Sequence, residues 1–204
     1  MKDWIGNSRT AFAIIGASNH SECDREANDY YATEPKATEL LLEAEKFSHH
    51  VWECACGEKH MSNVIEAHGY DVRSSDIFNR GGYSDVEIID FLNATKDDID
   101  RPRDIITNPP YSHAQEFVEK AMELVEEGGK VAMFLKLTFL EGKKRKELFK
   151  KYPPKVLYVS SSRLQCAKNG DFEKNGKGVG TAIAYGWFIW EKGYKGEPVI
   201  RWIN

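Results

Sequence analysis

Four consecutive residues, Asn108-Pro109-Pro110-Tyr111, carry the most specific chemical signal in the chain. Two prolines fix the backbone and remove two amide donors, which leaves carbonyls pointing out of the turn. Asn108 adds a side-chain carbonyl as acceptor. The Asn108 oxygen and the Pro109 carbonyl together can take both hydrogens of an exocyclic amino group. Tyr111 offers a flat face for a planar substrate, a contact worth about 1–3 kcal/mol per base. An aromatic amine is a poor nucleophile because its lone pair is delocalised into the ring. Two acceptors on its hydrogens raise the electron density on nitrogen, favour a tetrahedral geometry and aim the lone pair at an electrophilic methyl. Such catalysis rests on positioning and preorganised dipoles, without a strong general base. The plainer alternative is a proline-stiffened turn with a surface tyrosine.

A second set of residues falls at successive strand ends, where open parallel sheets bind ligands. Gly57 lets a loop approach a ligand closely. Asp76 can accept both hydroxyls of a ribose. Asp90 can take an adenine amino proton while Phe91 packs on the ring. Glu53 can hold a cationic ammonium or act through water. Each alone is also explained as a turn former or helix cap; the four together are a pocket. The loop Glu53-Cys54-Ala55-Cys56-Gly57-Glu58-Lys59 has neither a Gly-x-Gly-x-x-Gly spacing nor a Walker loop, which argues against a pyrophosphate or triphosphate there.

The elements that must position these residues are legible in the apolar periodicity. Thr33 caps and Pro35 opens a helix with Leu40, Leu41 and Ala44 on one stripe. Val51 to Ala55 reads as a buried strand turned by Gly57. Met61, Val64, Ile65 and His68 mark a helix that Gly69 ends. Strands follow at Tyr70 to Ser75, Glu87 to Asp90 and Asp104 to Thr107. Ser112 caps a helix with Phe117, Ala121, Leu124 and Val125 inside, stopped by Gly128-Gly129. Lys130 to Leu135 is a fifth strand, Glu141 to Lys151 a charged helix, Lys155 to Ser160 a sixth strand and Ala182 to Glu191 a seventh. Alternating strands and helices imply an α/β protein with a parallel sheet covered on both faces.

The chain has 204 residues, 41% hydrophobic and 29% charged, which fits one globular domain. Its net charge of −4 excludes a strongly basic coat for polyanions, though not a local basic face. Lys143-Lys144-Arg145-Lys146 with Lys150, Lys151 and Lys155 is one such cluster. Lys168, Lys174 and Lys177 form a second, on a Gly- and Lys-rich segment where Gln165 and Phe172 could meet a flipped base. Four cysteines without paired Cys-x-x-Cys knuckles imply neither a disulfide framework nor a metal site. No apolar stretch reaches the roughly 18 residues of a membrane span and the start lacks a secretory core, so the expectation is a cytoplasmic protein.

In these motifs the chain resembles the Rossmann-like S-adenosylmethionine-dependent amino-methyltransferases, in particular small phage- or prophage-type adenine-specific DNA methyltransferases. The resemblance spans about residues 29 to 190. It is carried by Asp29-Tyr30-Tyr31-Ala32-Thr33-Glu34-Pro35, Glu53-Cys54-Ala55-Cys56-Gly57, Ser75-Asp76, Asp90-Phe91, Asn108-Pro109-Pro110-Tyr111 and Lys136-Leu137-Thr138-Phe139-Leu140-Glu141-Gly142. It implies a seven-stranded, mostly parallel sheet with the last strand antiparallel between the fifth and sixth. It implies S-adenosyl-L-methionine as cofactor, with Tyr30, Tyr31, Thr33, Glu53, Ala55 and Gly57 near its methionine part, Asp76 on ribose, and Asp90 and Phe91 on adenine. Asn108, Pro109, Pro110 and Tyr111 would form the catalytic turn. Residues 1–28 are expected to form an arm or cap and 29–204 the methyltransferase domain. One position departs from the pattern: Lys59 stands where the family's first loop commonly has its second glycine.

The implied reaction is methylation of adenine N6 in DNA. Other amino groups, on an RNA base, on cytosine N4 or on a protein glutamine, suit the same turn. A different class is a cofactor-binding protein that only binds nucleic acid or a catalytic partner, which Lys59 would favour. No separate target-recognition domain is visible, so sequence specificity is expected to be low, to arise from residues 1–28 and the 163–180 segment, or to come from a specificity partner or homodimer.

Overall fold

The computed structural model describes residues 31–101, 103–162, 164, 166–168 and 183–204. Their strands in chain order are β1 (Tyr31–Thr33), β2 (His50–Glu53), β3 (Asp71–Asp76), β4 (Val86–Ile88), β5 (Asp104–Thr107), β6 (Lys130–Lys136), β7 (Val156–Ser160), β8 (Cys166–Lys168), β9 (Tyr185–Glu191) and β10 (Val199–Ile203). The helices are α1 (Pro35–Ala44), α2 (His60–Ala67), α3 (Ala114–Leu124) and α4 (Lys143–Lys151).

Strand residues alternate between two cores, as the two-residue period of a strand requires. Val51, Ile106, Ala132, Phe134, Trp187 and Ile189 face α1 and α2, against Leu40, Leu41, Met61 and Ile65. Trp52, Ile105, Val131, Met133, Leu135, Phe188 and Trp190 face α3 and α4, against Phe117, Val118, Ala121 and Leu148. Helices therefore cover both faces, as expected.

The main sheet runs β10-β7-β9-β6-β5-β2-β3-β4. β9 lies antiparallel between β6 and β7, and the other pairings are parallel. The antiparallel insertion matches the expectation; the strand count does not. There are eight strands rather than seven, because β10 pairs with β7 from Val199↔Val156 to Ile203↔Ser160. Only Ile203 of β10 is buried, so this edge strand lacks the burial alternation that marks the others.

Two helix starts also differ. Thr33 does not cap α1; it ends β1, and Glu34 precedes the first helical residue, Pro35. Ser112 does not cap α3 either: it lies in a 3₁₀ turn over Tyr111–His113, and His113 precedes the first helical residue, Ala114. β1 and β8 form a separate antiparallel pair that places Thr33 opposite Cys166.

Candidate active site

From β2 the chain builds β3 and β4 on one side, then returns to lay β5 on the other. The carboxyl ends of β2 and β5 thus flank a topological switch point, where a crevice opens. A cavity of about 860 Å³ occupies this place. Among the sequence-expected residues, Tyr31, Thr33, Glu53, Ala55, Asp76, Asp90, Phe91, Asn108, Pro109, Pro110 and Tyr111 line it. Gly57 is not among the lining residues, and Tyr30 lies outside the described residues, as do residues 1–28, Gln165, Phe172, Lys174 and Lys177.

Asn108 follows β5 directly. Its Nδ2 donates to the Tyr31 carbonyl at 2.9 Å and to Thr33 Oγ1 at 2.9 Å, with Cys166 Sγ 3.7 Å away. A backbone carbonyl only accepts, so this contact fixes which end of the amide is nitrogen. Both amide hydrogens are used by the β1 strand. Asn108 Oδ1 is buried and has no hydrogen-bond partner among the described residues. A buried acceptor without a donor costs about 1–3 kcal/mol. An N–H donor brought to this oxygen would remove that cost.

The rest of the turn is held in place. His113 N–H donates to the Pro110 carbonyl at 2.9 Å. Tyr111 Oη lies 3.1 Å from Cys166 Sγ, and its ring lies 5.8 Å from Tyr31 and 5.9 Å from Tyr185. Burial pushes the Tyr111 hydroxyl well up and the Cys166 thiol up to about 12. Neither is a base or anionic nucleophile at neutral pH. Cys166 and Lys136, whose ammonium sits 4.5 Å from the Tyr111 ring centroid, carried no role in the sequence reading. Cys166 becomes visible only through the β1–β8 pairing.

The opposite wall is built around β2 and β3. Gly57 takes a left-handed backbone, φ 55°, and its N–H donates to Asp76 Oδ2 at 2.9 Å. Phe78 N–H donates to Asp76 Oδ1 at 3.0 Å. Each carboxylate oxygen keeps a further lone pair. Glu53 is 2% exposed and bonded to Ser62 Oγ. Burial, with the Asp76 charge adding, pushes its carboxyl up to about 8. A cation beside it would restore the carboxylate.

Lys59 adopts the left-handed conformation itself, φ 62°, so the loop keeps a glycine-like path without the glycine. Its ammonium turns to Asp85 and Glu66, and Lys59 is not among the described residues lining the cavity. The side chain therefore does not crowd the pocket.

Asp90 caps the 3₁₀ turn over Phe91–Asn93, accepting from Leu92 N–H at 3.1 Å and Asn93 Nδ2 at 2.7 Å. Phe91 is 2% exposed, with its ring centroid 5.3 Å from Trp52 and 4.9 Å from Phe117. It is a core residue that also borders the cavity.

No protein-family model matches the sequence, and no curated protein matches it. Solved structures do match. A protein named as a hemolysin from Lactococcus lactis is 15% identical, with 82% of this chain and 91% of that one covered at a TM-score of 0.58. A protein named as a class I S-adenosylmethionine-dependent methyltransferase from Listeria monocytogenes is 14% identical, covering 95% of this chain and 72% of that one at 0.58. A protein named as a modification subunit of a type I restriction enzyme from Vibrio vulnificus is 11% identical, covering 98% and 53% at 0.57. At such identity the likeness establishes the fold: this chain has the Rossmann-like α/β architecture of the class I methyltransferase.

Proposed function

We propose that the protein transfers a methyl group from S-adenosyl-L-methionine to an exocyclic amino group, adenine N6 in DNA. One observation carries the reading. Asn108 presents a buried acceptor with no donor, while its own amide hydrogens are tied to Tyr31 and Thr33. A substrate NH2 satisfies that oxygen; an apolar or purely accepting substrate leaves it orphaned.

The cavity residues fit the cofactor. Asp76 would accept the ribose hydroxyls, Glu53 would meet the ammonium, Tyr31, Thr33 and Ala55 would border the methionine part, and Asp90 and Phe91 the adenine. Gly57 would shape the loop, and Tyr30 is assigned beside Tyr31 by the resemblance alone. When bound, the cofactor supplies an electrophilic methyl. The chain's own contribution is positional. Asn108 Oδ1 and the Pro109 carbonyl take the two amine hydrogens, Pro109 and Pro110 hold those oxygens still, and Tyr111 stacks on the target ring. Fixed dipoles of this kind need no reorganisation as charge develops on nitrogen.

Sharing a fold with a modification subunit of a restriction enzyme supports a polynucleotide as the substrate and a specificity partner or homodimer as a companion. The test is transfer of tritiated methyl from the cofactor to unmethylated DNA, RNA or protein, followed by digestion. Label in N6-methyladenine from DNA is the expected result. Label in an RNA nucleoside, N4-methylcytosine or methylglutamine would redirect the substrate, and no label at all would contradict transfer.

A further inference from the structure

Lys136 is the last residue of β6, beside β5, and lines the same cavity as Asn108 and Tyr111. Its ammonium lies over the Tyr111 ring, 4.5 Å from the centroid. No carboxylate among the described residues stands within ion-pair distance of it. A half-buried cation that rests on a ring and has no carboxylate partner among the described residues is easily displaced, because its flexible four-carbon stem lets it move to the rim of an incoming ring.

The chemistry of the ammonium limits what it can meet there. It has three donors and no acceptor, so it cannot bind the target amine. On adenine, the acceptors nearest the amine are the flanking ring nitrogens, N1 and N7. We infer that Lys136 is a substrate-positioning residue that donates to a ring nitrogen flanking the target amine, so that the site selects an amino-heterocycle with an adjacent acceptor. The inference rests on the proposed amine methylation. Asn108 would then read the hydrogens of the target and Lys136 its lone pair.

The experiment compares wild type, Lys136→Met and Lys136→Arg on three DNAs. One contains adenine; one is made by polymerase with 7-deazaadenine throughout; one carries 1-deazaadenine at the mapped methylation position. Lys136→Met is expected to raise KM about tenfold or more on adenine DNA, the size of a lost charged hydrogen bond, with kcat within about threefold. On one of the two deaza DNAs the wild-type advantage should vanish, because the acceptor is already gone. Lys136→Arg should recover most of the loss. An equal loss on all three DNAs, or one that disappears in raised salt, would assign Lys136 to a phosphate and overturn the inference. So would an unchanged KM on adenine DNA. If wild type labels no adenine DNA, the parent reading falls and this one with it; if wild type is active and Lys136→Met is indistinguishable from it, only this inference falls.

Discussion

At the scale of single residues, the proposed function rests on one unpaired oxygen. Thr33 Oγ1 and the Tyr31 carbonyl occupy the Asn108 nitrogen and leave Oδ1, buried, without a partner among the described residues. Thr33→Val removes one of these two acceptors and frees the amide to rotate. Its kcat for methyl transfer should fall about tenfold, as expected for one lost hydrogen bond, while Thr33→Ser should restore most of it. Single-turnover rates check this. Glu53 offers a second test, through pH. Its folded carboxyl titrates near 8 against about 4.5 unfolded, so between those values the folded protein holds a proton that the unfolded chain has released. The stability from this group is full below pH 4.5 and is lost as pH rises through 8, at up to about 1.4 kcal/mol per pH unit. Glu53→Gln should flatten that slope in denaturant titrations of the ligand-free protein, and should weaken cofactor binding. An unchanged slope would remove Glu53 as its cause.

At the scale of elements, the chain's regular parts follow from its periodicity and its irregular parts do not. Strands such as β5 and β6 are short apolar runs bounded by turn residues, and α3 carries a clean stripe, so both were legible. The place of β9 between β6 and β7 came from family resemblance, since periodicity says nothing of strand order. β10 was missed because its side chains are mostly exposed, and edge pairing through the backbone leaves no burial pattern. β1 and β8 were missed because each has three residues and pairs across more than 130 positions of sequence. That pair brings Thr33 and Cys166 to Asn108, so the missed elements hid the support of the site, while its floor was readable. Phe91 belongs to this scale as well. It joins the 3₁₀ turn to Trp52 and Phe117. Phe91→Ala should lower unfolding free energy by about 3–5 kcal/mol, the usual cost of a deleted core aromatic. A loss under about 1 kcal/mol, with weakened cofactor binding, would make it a ligand contact rather than core.

At the scale of the whole molecule, net charge and local charge must be separated. The chain carries −4 overall, yet α4 exposes Lys143, Lys146 and Lys151. Some of the expected cluster is committed elsewhere: Lys150 pairs with Glu147, Lys155 with Glu191, and Arg145 donates to the Thr138 and Glu141 carbonyls. Binding to DNA should weaken as salt rises, with a contribution to the slope from the α4 cations that have no carboxylate partner among the described residues. Removing the charges of Lys143, Lys146 and Lys151 should reduce that slope by up to about three, read by fluorescence anisotropy at several salt concentrations. A slope unaffected by this change would locate the nucleic-acid face elsewhere. No helix of the described residues is long and apolar enough to cross a membrane.

Asn108→Ala, studied in parallel for cofactor binding by calorimetry and for methyl transfer in a single turnover, separates the amine site from the cofactor site. We expect cofactor affinity within about twofold of wild type and transfer reduced about 100-fold or more, the effect of losing a preorganised acceptor at the reacting atom. Transfer by Asn108→Ala at the wild-type rate would show that the unpaired oxygen holds no reacting amine and would contradict the account.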